Sequence, residues 1–302
     1  MPPMADSRSA VIAALLGNSA IAVAKFIAAL VTGSAGMLAE AFHSVADTGN
    51  QLLLLRGLAV SRRGRSVQHP FGRGKEVYFW SLMVAVMLFV GGGVLAVQRG
   101  IDALRHPHEV TNFVASFLVL GIAVILESLS FRIARREFNR ERGSRRLWRS
   151  LRSTKDTSVL VVLFEDSAAI VGLVIAGTGL MLTILTGTAL WDGVASILIG
   201  GLLGLVAVLL ASETKELLVG EAATRADRSA IRGAVLSVGD VEAVGRLLTM
   251  HLGPEEVLVN VEVGLQDGLT GEEVTAAVGR IESAIRGVVP EAGDIFVESV
   301  HV

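Results

Sequence analysis

Apolar residues run almost unbroken through six stretches, roughly residues 10–32, 35–60, 77–98, 111–132, 157–185 and 189–211. A helix of about 20 apolar residues crosses a hydrocarbon core of about 30 Å. The pattern therefore predicts an α-helical polytopic membrane protein of six transmembrane helices. From "ASETKELLVGEAATRAD" onward charge is spread evenly and no run is long enough to span. Residues 1–212 read as the transmembrane domain and 213–302 as a separate soluble domain. In that tail, "TRADRSAIRGAVLSV" suits an amphipathic helix. "AVGRLLTMHLG", "VLVNVEVGL" and "DIFVESVHV" suit strands. "TGEEVTAAVGRIESAIRGVV" opens with Thr270 and places Glu273 three residues on, a capping-box pattern. The expected order is αββαβ, a small α+β layer.

Loop charge adds an orientation. The 56–75 connection carries Arg56, Arg62, Arg63, Arg65, Arg73 and Lys75, and the 132–155 connection is richer still in arginine. On the other side "GSAG" and "TGTALWDG" carry no basic residue, and 99–110 has only Arg99 and Arg105. The positive-inside rule then places both termini, and the tail, in the cytoplasm. The short "MPPMADSRSA" precedes an apolar run that carries Asn18 and Lys25, a pattern unlike a cleaved signal. The chain has no cysteine, so a metal would have to use imidazole, carboxylate, amide or water.

Against this apolar background a few polar groups stand out. His43 and Asp47 on the second span are four residues apart and share a face, which Glu40 and Asn50 extend. Intramembrane ionisable residues are costly and mark ion or substrate pathways. An imidazole and a carboxylate one turn apart are two of the four ligands a tetrahedral Zn²⁺ takes. The fifth span offers Glu165 and Asp166 in "VLFEDSAAIVG", about 100° apart around the helix. Asn18 and Lys25 on the first span and Glu127 on the fourth complete the set. A single intramembrane polar residue can equally serve as interhelical glue. Lys25 and Glu127 are read that way, as a structural ion pair.

The order of these pieces resembles the cation diffusion facilitator family of zinc and related divalent-metal/proton antiporters, most of all the branch containing the mitochondrial zinc exporter. "GSAGMLAEAFHSVADTGNQ", "QHPFGRGKE", "LFEDSAAIVGLVIAG" and "LWDGVASILIGGLLG" carry the resemblance, which covers nearly the whole chain. It implies an alternating-access homodimer that exports Zn²⁺, with Mn²⁺ or Fe²⁺ as other candidate substrates, in exchange for protons. It also implies two ligands from the second span and two from the fifth, each pair four apart. His43 and Asp47 match the first pair and Asp166 the second carboxylate, but the position usually held by histidine is Val162. Three completions remain open: Glu165 reaching in, Asn50 or a water, or Glu165 in the earlier place with Ala169 in the later. The expected metal donors are His43, Asp47, Asp166 and Glu165, with Asn50, Glu40 and Asn18 as supporting polar residues.

Other family positions are altered as well. In the loop after the second span His69 stands but its usual partner is Arg73, a cation that repels metal. Asn260 and Glu298 stand where the tail would carry histidine ligands, while His251 and His301 read as exposed strand histidines and His106 and His108 as loop residues. Gly200 and Gly204 on the sixth span, with Gly91, Gly92 and Gly93 on the third, permit close packing within one chain or across a dimer seam. No HExxH occurs, which argues against a metalloenzyme. A non-transporting membrane scaffold or metal sensor is the alternative, because Val162 breaks the usual ligand set. The arginine-rich loop reads as a basic collar facing lipid headgroups, with no nucleic-acid partner indicated. An integral protein of a prokaryotic inner membrane is the expected setting.

Overall fold

The computed structural model describes residues 19–106, 112–142 and 157–300, with side chains omitted at 133–134, 137–142 and 157–163. Asn18, His108, His301 and the arginine-rich residues 143–156 lie outside the described residues. The chain divides into two compact units. One holds the residues through Gly57 together with Phe79–Thr214, and the other holds Leu58–Tyr78 with Lys215–Val302.

The described part of the first unit is built from helices. Its elements are α1 (Ser19–Thr32), α2 (Ala35–Ser61), α3 (Glu76–Arg105), α4 (Phe113–Arg142), α5 (Thr157–Thr186) and α6 (Leu190–Val219). Glu76–Arg105, Phe113–Arg132, Phe164–Thr186 and Leu190–Val219 are each long and apolar enough to cross a membrane. At 27 residues α2 is also long enough. Its polar stripe makes it less apolar than those four. The packed interior is built from small and aliphatic side chains such as Ala28, Ala39, Leu88, Leu173, Ile199 and Leu203. Val23, Leu30, Leu52, Leu118, Ile125, Leu185 and Leu205 point outward, as a lipid-facing surface requires.

The glycines on α3 and α6 meet within the chain. A Cβ on Gly93 would lie 3.3 Å from Gly204 Cα, and one on Gly200 would lie 2.7 Å from the Gly93 carbonyl oxygen. Beside this contact α3 widens into a π-turn over Leu88–Val94, the "LFVGGGV" run. These small residues therefore serve close helix packing inside one chain.

In the second unit α7 (Arg225–Leu236) is followed by β1 (Val241–Gly253), β2 (Glu256–Leu265), α8 (Gly271–Val288) and β3 (Ala292–Ser299). The strand order is β1-β2-β3, with β1 antiparallel and β3 parallel to β2. This is the expected αββαβ order. Ile231, Val235, Ile281 and Ile285 from the helices bury against Val259, Val261 and Val263 of the central strand. The Thr270–Glu273 capping box forms at the start of α8. The connection between α2 and α3 belongs to this unit. Arg65 donates to Asp294 at 2.8 Å and to Glu256 at 2.7 Å, and Phe71 meets Phe296 edge to face.

Candidate metal site

The helix that carries the polar stripe is anchored at its start. Free N–H groups at a helix N-terminus favour an anionic partner. Asp192, in the first turn of α6, supplies it. Its carboxylate accepts from the backbone N–H of Ala35 and, at 3.2 Å, of Gly36, and from Ser34 Oγ at 2.5 Å. Ser34 Oγ in turn accepts from the Met37 N–H at 3.1 Å. Asp192 thereby fixes where α2 begins, one turn before its first ionisable residue.

From there the stripe runs along α5. A Cβ on Gly172 would come within 2.5 Å of Glu40 Oε1, so the glycine leaves space for that carboxylate. Ten residues further on, Asn50 Nδ2 donates to Glu165 Oε1. Glu40 thus faces Gly172 and Asn50 faces Glu165, an antiparallel alignment with His43 and Asp47 between. His43 is wholly buried and its Nδ1 lies 3.4 Å from Asp47 Oδ1. Among the described residues neither His43 ring nitrogen has a hydrogen-bond partner, and Asp47 Oδ1 and Asn50 Oδ1 also lack one. A buried polar atom without a partner costs about 1–3 kcal/mol. Several of them along one stripe favour a polar ligand there, and neutral imidazole with carboxylate oxygen suits a divalent cation.

The two fifth-helix carboxylates take different partners. Glu165 is buried and bonded to Asn50, whereas Asp166 Oδ2 accepts from Ser130 Oγ of α4 at 2.9 Å. Among the described residues no three His, Asp or Glu side chains stand close enough together to hold a metal ion. The structure therefore juxtaposes His43 with Asp47 and Asn50 with Glu165, and leaves Asp166 bonded to Ser130 of α4. Val162 lies among the residues whose side chains are not described.

Glu40 belongs to a different cluster. Lys25 Nζ donates to Glu40 Oε2 at 3.0 Å and lies 3.9 Å from Glu127 Oε1. The expected Lys25–Glu127 pair is present, but Glu40 is the nearer partner. Asp192, Ser130 and Gly172 escaped the sequence reading. The acidic residue opening the sixth span, in "LWDG", was the one visible signal for Asp192.

Among the altered positions, His69 pairs by backbone with Ser66 in a tight loop. His251 is buried at 6% exposure, not exposed as expected. Its end of β1 is covered by the segment after α6, where the His251 N–H donates to the Glu221 carbonyl at 3.0 Å.

Residues 11–219 match the cation efflux transmembrane domain family. The mitochondrial proton-coupled zinc antiporter SLC30A9 of Mus musculus is 32% identical over 241 residues, which is 79% of this chain and 42% of that protein. Metal tolerance protein C4 of Arabidopsis thaliana is 29% identical over 284 residues, 92% of this chain and 61% of that one. The manganese efflux system protein MneP of Bacillus subtilis is 20% identical over 270 residues, 87% and 86% of the two chains. The chain spans about half the length of the first two of these relatives.

Proposed function

The chain belongs to the cation efflux family, and we propose that it exports a divalent metal cation, Zn²⁺ in the first place, in exchange for protons by alternating access. The observation that carries this reading is His43, buried in a membrane-spanning helix with both ring nitrogens unpartnered among the described residues and Asp47 one turn away. His43, Asp47 and Asp166 bind the ion, with Glu165 as the fourth or a supporting carboxylate. Asp166 then exchanges its Ser130 hydroxyl for the metal during loading. An oxygen-rich donor set is compatible with Mn²⁺ or Fe²⁺ as well as Zn²⁺. The names of the relatives, a zinc antiporter and a manganese efflux protein among them, support a divalent cation as substrate.

Metal binding needs a neutral imidazole and ionised carboxylates, so metal and protons compete for the same atoms. Loading occurs from the cytoplasmic side, and protonation on the far side expels the ion. Residues 1–212 form the transport domain and 213–302 a cytoplasmic domain, with both termini inside a prokaryotic inner membrane. The support for this sidedness is loop charge. Arg65 of the basic 56–75 connection also bonds the tail residues Glu256 and Asp294, which supports loop and tail lying on one side. The working form is a homodimer, a reading taken from the family.

Reconstituted liposomes test the function. Zinc flux should respond to an imposed pH gradient, and Asp47→Ala should abolish it. Zinc flux indifferent to the gradient would remove the exchange claim. A non-transporting scaffold or sensor is the second reading, favoured by the engagement of Glu165 and Asp166 with Asn50 and Ser130. Stoichiometric zinc binding without flux would select it.

A further inference from the structure

Lys25, Glu40 and Glu127 come from α1, α2 and α4 and meet inside the bundle. Lys25 and Glu40 side chains are 0% exposed and Glu127 is 14% exposed. Lys25 donates a hydrogen bond to Glu40 Oε2, and Glu127 Oε1 stands off at 3.9 Å. The second oxygen of Glu40, Oε1, is buried with no hydrogen-bond partner among the described residues. One cation is thus shared by two carboxylates, and one buried oxygen still has room for a proton.

Charge balance decides what that oxygen is for. A buried charge without a counter-charge is strongly disfavoured. Lys25 neutralises one carboxylate and leaves the other in excess. Among the described residues, the other titratable groups that act on this cluster are Asp47 on α2 and Glu165 and Asp166 on α5, all acidic, with His43 one turn along α2. None supplies the missing positive charge. None of the three triad residues is among the proposed metal donors.

We propose that Lys25, Glu40 and Glu127 form a proton-binding site separate from the metal site, the two carboxylates holding one transported proton between them. The inference rests on the metal/proton exchange proposed above. A divalent ion arriving at His43 and Asp47 places positive charge about one turn from Glu40 and drives the proton off to cytoplasmic water. Release of the ion on the far side lets a proton from that water return to a carboxylate oxygen. Metal and proton are then coupled through space as well as by competition for the same ligands.

The test uses the full chain in liposomes carrying a zinc-sensitive and a pH-sensitive dye. The readout is the ratio of zinc flux with an imposed pH gradient to flux without one, so differences in active protein cancel. In Glu127→Gln one carboxylate remains, Lys25 balances it and no proton is needed. The ratio should fall at least about threefold toward one, and protons moved per zinc should fall with it. A Glu127→Gln ratio equal to that of the unsubstituted protein overturns the proposal. Should that variant fail to reconstitute, Glu127→Asp keeps the charge but shortens the reach to Lys25. Its zinc flux should show a displaced pH midpoint, and an unmoved midpoint overturns the proposal. An unsubstituted protein with no response to the gradient would instead overturn the exchange reading itself.

Discussion

Asn50 on α2 donates its Nδ2 hydrogen to Glu165 Oε1 on α5, joining the helix that carries His43 and Asp47 to the helix that carries both remaining carboxylates. Removing the amide leaves a buried carboxylate without a donor, a loss of about 1–3 kcal/mol. Asn50→Ala should therefore lower the thermal unfolding temperature of the metal-free protein in detergent. Asn50→Asp sets a second carboxylate against Glu165 and should lower it further. If Glu165 contributes to the metal site, saturating Zn²⁺ should raise the unfolding temperature of Asn50→Asp more than that of the unsubstituted protein. An equal rise in both would place Glu165 outside the site.

The Ser130–Asp166 hydrogen bond makes a prediction about the neighbouring carboxylate. A hydrogen bond that must break before the metal binds opposes loading, and a typical one is worth about 0.5–1.5 kcal/mol net. Ser130→Ala should therefore raise apparent zinc affinity by roughly 2–10-fold, because Asp166 gives up this bond on loading. Asp166→Asn removes the donor itself and should lower the affinity. Zinc titrations of flux check the order, and an Asp166→Asn protein with the affinity of Ser130→Ala would exclude Asp166 as a ligand.

These contacts show which parts of the molecule the sequence exposes. Helix count, the αββαβ tail and the capping box at Thr270 follow from periodicity and local chemistry, and they appear as expected. The shared face of His43 and Asp47 follows from a four-residue spacing within one helix. What joins separate helices is not legible in this way. Adjacent residues such as Glu165 and Asp166 point about 100° apart, and only the azimuth of α5 decides that one meets Asn50 and the other Ser130. Lys25 reached Glu127 as expected, yet the closer Glu40 lies fifteen positions away on a different helix. Buried His251 failed for the same reason: a strand pattern does not reveal which chain segment will cover its end.

Asp192 supplies a prediction about positioning. Its carboxylate occupies the N-terminus of α2 from another helix, doing the work of an N-cap and of a helix-dipole counter-charge together. Asp192→Ala should destabilise the protein by about 1–2 kcal/mol. Hydrogen exchange should quicken first at the amides of Ala35 and Gly36. Asp192→Asn keeps acceptor oxygen and should recover part of the loss. Unchanged exchange at those two amides in Asp192→Ala would show that the cap does not hold the helix start.

The tail carries the acid sensitivity of the second unit. On the sheet, Glu262 accepts from the Arg246 side chain and, at 3.0 Å, from its backbone N–H, and these bonds hold its carboxyl below the ordinary 4.5. Bonds from the Thr270 backbone and hydroxyl hold Glu273 below 4.5 in the same way. A carboxyl depressed by folding contributes stability that is complete above its unfolded value and is lost as pH falls through its folded value. The tail should therefore hold its stability down to about pH 4.5 and lose it progressively below. Arg246 and Arg65, both raised by their acidic partners, stay charged across this range and add no slope of their own. Glu262→Gln removes one of the two depressed carboxyls, so its unfolding temperature should depend less steeply on pH below about 4.5. An unchanged slope would mean that the Arg246–Glu262 pair makes no net contribution, as exposed pairs often do not.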